Sequence, residues 1–300
     1  MQRIIPASRV ARQQKQHLLI WNIIPLLGSI VAIALALKNS VALIEVLVAV
    51  AMWLLTAGLG ISVGFHRCFT HRAFEAKNWL RVVMAVAGSM AAQGPVVYWV
   101  SLHRRHHECT DAEGDPHSLQ ATSTSYWGKL RGFWHGHMGW VVKPHNVPSP
   151  KYYARDLLRD RSLMFVNKHY HWWAISGIIL PGLIVALLES SMTGFLQGVL
   201  WGGFVRITIQ NQLIWSVNSV CHKIGNREYE TPDSSRNNFW IAMLTFGEGW
   251  HNNHHVFPHS ARLGLKYWQL DMGYSAIWLM EKMGIVQNVR HPQKLDNCIH

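Results

Sequence analysis

Charge is scarce in this sequence. Asp, Glu, Lys and Arg make up 15% of 300 residues, against about 25% in ordinary soluble domains. So little charge excludes a chain whose whole surface faces water. Cysteine is also sparse: Cys68, Cys109, Cys221 and Cys298 show no CxxC spacing. That excludes a disulfide framework or a zinc ribbon, and the four read as reduced packing residues on a cytosolic side. Gly58 and Gly60 have no strand-turn-helix context, which excludes a nucleotide-binding loop there. No paired Glu-x-x-His motif is present, so a ferritin-like carboxylate site is not expected. Acid is the scarcer sign, leaving a net charge of +12. Nucleic-acid binding is the usual reading of a basic chain. Here the long apolar runs point instead to a membrane protein with a basic cytoplasmic face, and no nucleic-acid partner is expected.

What is abundant is apolar sequence, 49% of the chain, and tryptophan, 15 residues. Leu18 to Leu37 runs without a charge, long enough to cross a bilayer core. The pattern predicts four spans, at 18–37, 41–64, 170–188 and 194–215. Gly60 and Gly64 suit close helix packing. Pro181 interrupts the third span, which a membrane helix tolerates. Arg206, Gln210, Asn211 and Gln212 lie in the fourth, where polar groups should face protein or a cavity. Residues 80–100 are apolar but broken by Gln93-Gly94-Pro95, and read as a segment buried in protein or lying at the interface. Residues 65–169 and 216–300 read as cytosolic, with an amphipathic helix near Leu265 to Met283. The short hairpin loops hold one basic residue, Lys38, so the positive-inside rule places both termini in the cytoplasm. The expected fold is an all-α integral membrane protein, one domain over 1–300, with four transmembrane helices under a helical cytosolic cap.

Histidine carries the chemistry. His251-Asn252-Asn253-His254-His255 places imidazoles at i, i+3 and i+4, one face of a helix. His103-Arg104-Arg105-His106-His107 repeats the pattern, and His66 with His71, and Asn218 with His222, extend it. Neutral imidazole is the commonest metal ligand, so a metal site is a better account than a solvated polar face. Nine imidazoles exceed one metal's needs and suit two metals with four or five nitrogens each. Asn218 offers a hold on a metal-bound water. Glu248, Asp111 and Asp115 are candidates for orienting the imidazole N–H groups. His66 and His71, five apart, lie about 140° apart on an ideal α-helix, and meet only if the helix ends or bends. All four clusters fall at the same membrane face. Imidazole suits iron, copper, zinc and nickel alike, and spacing does not choose among them. A dinuclear site opening toward a bilayer points to a lipid substrate and redox chemistry.

At this point the chain resembles the membrane fatty-acid desaturases, specifically the acyl-CoA (stearoyl-CoA) delta-9 type. The resemblance rests on HRCFTH at 66–71, HRRHH at 103–107, NSVCH at 218–222 and HNNHH at 251–255, with Gly247-Glu248-Gly249-Trp250, Asp115-Pro116-His117 and His137-Met138-Gly139-Trp140. It covers residues 18 to 290. The histidine boxes alone are shared with membrane hydroxylases and alkane monooxygenases. The resemblance implies two Fe2+ ions held by His66, His71, His103, His106, His107, His222, His251, His254 and His255, with Asn218 acting through water. It implies O2-dependent removal of two hydrogens from a fatty acyl chain, on CoA or a lipid, leaving a cis double bond at carbon 9. It also implies that Gln93, Trp99 and Trp215 line the bend of the substrate tunnel.

With no flavin or nicotinamide motif, electrons are expected from a separate donor, a ferredoxin or b-type cytochrome. The basic residues Arg104, Arg105, Lys129, Arg131 and Lys143 are candidates for docking an acidic carrier or an acyl carrier's phosphates, or for facing anionic lipid. His135, His145, His169, His171 and His259 read as ordinary interfacial residues. A membrane hydroxylase with the same metal core is the alternative, and a metal transporter or sensor is disfavoured by the apolar first two spans. Length and the lack of organelle-targeting features suggest a bacterial inner membrane.

Overall fold

The computed structural model describes residues 3–38, 41–119, 125–143 and 145–292. Cys298 and the expected break at Asn39-Ser40 lie outside the described residues.

Three helices are long and apolar enough to cross a membrane: Ala7–Ala36, Leu43–Thr70 and Tyr170–Glu189. Each has the length that a hydrocarbon core of about 30 Å requires. Their large apolar side chains, such as Leu27, Leu47 and Leu187, point outward. That is the reverse of a soluble core, and it is the expected pattern where the surroundings are as apolar as the interior. A fourth continuous helical run covers Met192–Ser219, over the expected span at 194–215. It carries Arg206, whose side chain is buried. The guanidinium donates to the carbonyls of Gly202, Met90 and Gly177 at 3.0, 3.1 and 2.6 Å. Gln210 and Asn211 on the same run are also buried, and Gln210 accepts from Thr56 at 2.7 Å. The Arg206 guanidinium of this run is thus satisfied by carbonyls of the protein, whereas Gln210 is held through its oxygen alone.

Residues 80–100 fold as two helices, Asn78–Met90 and the start of Val96–Glu108. The first rises only about 20 Å at 1.5 Å per residue, too short to cross. Ala92 and Gly94 adopt positive φ of 60° and 109° between them, which reverses the chain at Gln93-Gly94-Pro95. Asn78–Met90 packs against the second long helix at a glycine contact. A Cβ at Gly60 would lie 2.4 Å from the backbone nitrogen of Gly88, and one at Gly64 would lie 2.9 Å from Met84 Cβ. Small residues let these backbones approach.

The helical content is accompanied by two short antiparallel pairs, Ile4–Ile5 with Val147–Pro148 and Glu75–Ala76 with Val286–Gln287. They tie the N-terminal and C-terminal segments to the middle of the chain. The amphipathic stretch expected near 265–283 is helical only over Met272–Lys282. Asp271 stops it from extending backward: its carboxylate accepts from the backbone of Leu263, Gly264 and Tyr274 at 2.7, 3.2 and 2.9 Å. That pattern caps the helix and folds the preceding loop around the cap.

The Gly60–Gly88 contact has no room for a methyl group, and backbone cannot swing aside. Gly60→Ala is expected to cost about 1–3 kcal/mol, the usual range for overpacking. Thermal unfolding in detergent, followed by thiol labelling of the buried Cys68 and Cys221, should show the lowered midpoint.

Candidate dimetal centre and apolar cavity

Four segments bring the histidines together. His103, His106 and His107 sit on the last turns of Val96–Glu108, and His251, His254 and His255 on the short helix His251–Val256. His222 ends the Val220–His222 turn that follows the fourth long run. His66 and His71 close the second long helix. Residues Leu54–Thr70 of that helix are wound as a π-helix, and His71 N–H donates to His66 C=O at 3.1 Å. An i→i+5 bond stacks residues five apart, so the two rings meet at 4.7 Å. The 140° of an ideal α-helix does not apply.

The nitrogens gather into two groups, each within 4.8 Å of one another: His66, His71, His103, His107 and His254 in one, His106, His222, His251 and His255 in the other. His107, His103, His254 and His66 approach through their Nε2 atoms at 2.9–3.2 Å, and His222 and His251 at 3.0 Å.

Carboxylates fix which nitrogen faces inward. Nδ1 of His106 lies 3.0 Å from Asp115, Nδ1 of His222 3.2 Å from Asp111, and Nδ1 of His255 2.8 Å from Asp233. Nδ1 of His66 lies 2.5 Å from Glu248. A carboxylate only accepts, so the Nδ1–H groups of His106, His222 and His255 donate and their Nε2 lone pairs are left bare. Nε2 of His71, His106 and His255 is buried with no hydrogen-bond partner among the described residues. Burial first, and neighbouring imidazoles second, hold His71, His103, His107, His251 and His254 well below the usual histidine range. Burial brings His255 down to about 4. His106 differs: burial opposes its charging, but Asp115 carries it up. Burial likewise opposes ionisation of the carboxylates, yet His222 and Ser234 hold Asp111 down at about 2, and His255 holds Asp233 far down. Imidazoles with converging nitrogens and carboxylates behind four of them are a donor set for cations, and the residues present fit two metal ions.

Asp233 and His259 were not legible as site residues. Asp233 arrives on the loop after His222. His259 Nδ1 donates to the carbonyl of His71 at 2.9 Å and steadies that turn. The three described cysteines belong to neither group: Cys68 and Cys221 are buried and free, Cys109 is half-buried, and burial pushes the Cys221 thiol up.

Both groups border one cavity of about 400 Å³, through His66, His103 and His251. Asn218, Gln93, Trp99 and Trp215 line the same cavity. Trp99 stacks on His103 at 5.2 Å, and its Nε1–H donates to Gln93 Oε1 at 3.2 Å. Gln93 Nε2 donates in turn to Asn211 at 3.2 Å. The wall beside the first histidine group is therefore held by directional bonds. His17, His145 and His171 also line the cavity, so His145 and His171 are not simple interfacial residues. His137 bridges Gln212 and Ser219, 2.9 Å from each, and braces the helix that carries Trp215.

The basic residues divide. Arg104 is committed to Asp156 at 2.8 Å and to the carbonyls of Phe69, Thr70 and Tyr153. Arg105 bonds Glu108 and the Gly114 carbonyl. Neither is free for docking, which corrects the expectation for those two.

The sequence profile of the fatty acid desaturase family matches residues 44–285. The chain belongs to the fatty acid desaturase family. It is 44% identical over 281 residues to a hex-5-enoyl-[acyl-carrier protein] acetylenase of Moorena producens, covering 93% of this chain and 87% of that one. It is 36% identical over 243 residues to an sn-1 stearoyl-lipid 9-desaturase of Synechocystis, covering 80% and 70%. An acyl-CoA C20 Delta5-desaturase of Anemone leveillei is 36% identical over 248 residues, covering 82% and 73%. The three relatives are thus named for three acyl carriers.

Removing the carboxylate behind a ligand typically costs 10–100-fold in metal affinity. Asp233→Asn is expected to weaken one of two bound ions by about that factor and leave the other. Metal analysis by plasma mass spectrometry after graded chelation should show two populations, where the unaltered protein retains both.

Proposed function

We propose that this desaturase-family protein is a di-iron, O2-dependent acyl desaturase with a single domain. The observation that carries the reading is the shared cavity: both imidazole groups border one largely apolar space. In this reading His66, His71, His103, His107 and His254 hold one iron. His106, His222, His251 and His255 hold the other, with Asn218 acting through a water. Bound iron supplies oxidising power strong enough to take hydrogen from an unactivated methylene, with O2 as acceptor and a separate ferredoxin or b-type cytochrome as electron donor.

The protein's own part is placement. Trp99, locked by Gln93 and stacked on His103, and Trp215, on the brace formed by His137, bound the channel where the chain bends. A narrow apolar channel presents one pair of methylenes and excludes water, which is catalysis by orientation. A saturated chain would leave as a cis alkene, at carbon 9 in the reading favoured by the lipid 9-desaturase relatives. The relative at 44% identity favours a second reading, in which an existing double bond is taken on to a triple bond.

In the proposed topology the run Met192–Ser219 is the fourth span, the carbonyl-bound Arg206 being its adaptation. Both termini and the histidines then lie on the cytoplasmic side of a bacterial inner membrane.

Expression in a host lacking desaturases, with lipids analysed by gas chromatography and mass spectrometry, should show a cis monoene at carbon 9. His254→Ala should abolish it. An alkyne formed only when an enoyl chain is supplied would move the assignment to the second reading, and a hydroxylated chain would replace both.

A further inference from the structure

The first helical segment, Ala7–Leu18, has two different faces. Val10, Gln14 and His17, at helical spacing, border the cavity, with Gln13 and Gln16 at its rim. Arg9, Arg12 and Lys15 are exposed and have no ion-pair partner among the described residues. By contrast Arg3, Arg67, Arg72, Arg81, Arg104 and Arg105 all have carboxylate partners. Arg9 and Arg12 adjoin the glutamine rim, since Arg9, Gln13 and Gln16 are spaced i, i+4, i+7. Across the mouth, the Gln14 side chain exchanges two hydrogen bonds of 3.1 Å with the backbone of His145, and exposed Lys143 stands beside that loop.

The lining itself contains no lysine or arginine among the described residues. Its polar groups near this end are amides, imidazoles and an indole, and Nε2 of His145 and Nε1 of Trp140 have no partner among the described residues. Such a throat suits a long, uncharged, amide-bearing arm, and it offers nothing to a phosphate. Positive charge lies outside it, on a helix face.

Height separates a soluble partner from lipid. The helix runs unbroken into the first candidate span, whose apolar stretch begins at Leu18. At 1.5 Å per residue, Arg12 stands about 9 Å and Arg9 about 13 Å above that level. The headgroup layer is only about 5–7 Å thick on each side. On an upright helix the Lys15 backbone would lie within that layer, and those of Arg9 and Arg12 above it.

We propose that the Arg9/Arg12 face docks a small acidic acyl-carrier protein, whose pantetheine arm passes the glutamine rim into the cavity. The proposal rests on the desaturase reading and names its acyl carrier. The test uses the metal-loaded protein in phosphatidylcholine nanodiscs and a bacterial acyl carrier protein loaded with a saturated chain. Binding is read by biolayer interferometry, without turnover. The expected result is binding that weakens steeply with salt and that Arg9→Glu/Arg12→Glu weakens at least about tenfold. Metal content and turnover of acyl-CoA should stay unchanged in the double variant.

Equal binding by both proteins would overturn the proposal. So would a lack of carrier binding with the double variant losing only its retention on anionic vesicles, which would assign the face to lipid. A raised KM for acyl-CoA in the double variant, again without carrier binding, would assign the face to nucleotide phosphates and also overturn it. Absence of any unsaturated product from carrier, CoA or lipid substrates would instead sink the desaturase reading, which the binding measurement distinguishes.

Discussion

The structure depends on one constraint: nine imidazoles must turn ring nitrogens toward each other inside the protein. Each such nitrogen left unpaired costs roughly 1–3 kcal/mol, and lone pairs facing each other at about 3 Å repel. The chain accepts that arrangement because everything around it is committed to holding it. Four separate segments deliver the rings, and Asp111, Asp115, Asp233 and Glu248 stand behind four of them. Behind Glu248, buried Arg67 joins the same carboxylate to Asp271 at 2.9 Å and to the Phe246 carbonyl. The second long helix is thereby fastened to the C-terminal segment that carries the last histidine triplet. Bound cations would offset the cost of such a core, since metal binding to a site formed only on folding adds to folding stability.

The triplets were legible because i, i+3, i+4 spacing is a property of any α-helix. His66 and His71 were legible as ligand candidates, but how they meet was not, because the 3.6-residue period used to read a sequence fails where the backbone is π-wound. Asp233 and His259 could not be found at all. Each reaches the site by loop placement, and a lone acid or histidine in a polar stretch carries no spacing signal. Arg104 and Arg105 sit inside a histidine box and read as surface charge. Arg104 meets its main counter-ion, Asp156, only through tertiary folding, with 52 positions between them.

The long helices were readable from hydropathy alone, and the fourth run illustrates the limit of that method. Arg206, Gln210 and Asn211 depress its apolar character, yet each is buried among partners that other segments supply. The expectation that polar groups there face protein was physical, from the cost of leaving them in lipid. Which partners they find was invisible, because backbone carbonyls leave no mark in a sequence. The break at Gln93-Gly94-Pro95 was visible, and its use became clear only in three dimensions. It turns the chain so that Gln93 meets both Trp99 and Asn211, joining cavity wall and helix bundle.

The guanidinium of Arg206 also bears on how the polypeptide is assembled during synthesis. Its acceptors at Met90 and Gly177 belong to segments made long before it. Until the ribosome has produced the Met192–Ser219 run, the carbonyl at the end of the Asn78–Met90 helix lacks this donor. The half-made protein therefore carries an incomplete polar seam, and the last long helix to emerge is the one that seals it. Biogenesis in this order makes the helix that looks least suited to lipid the one that locks the others in register.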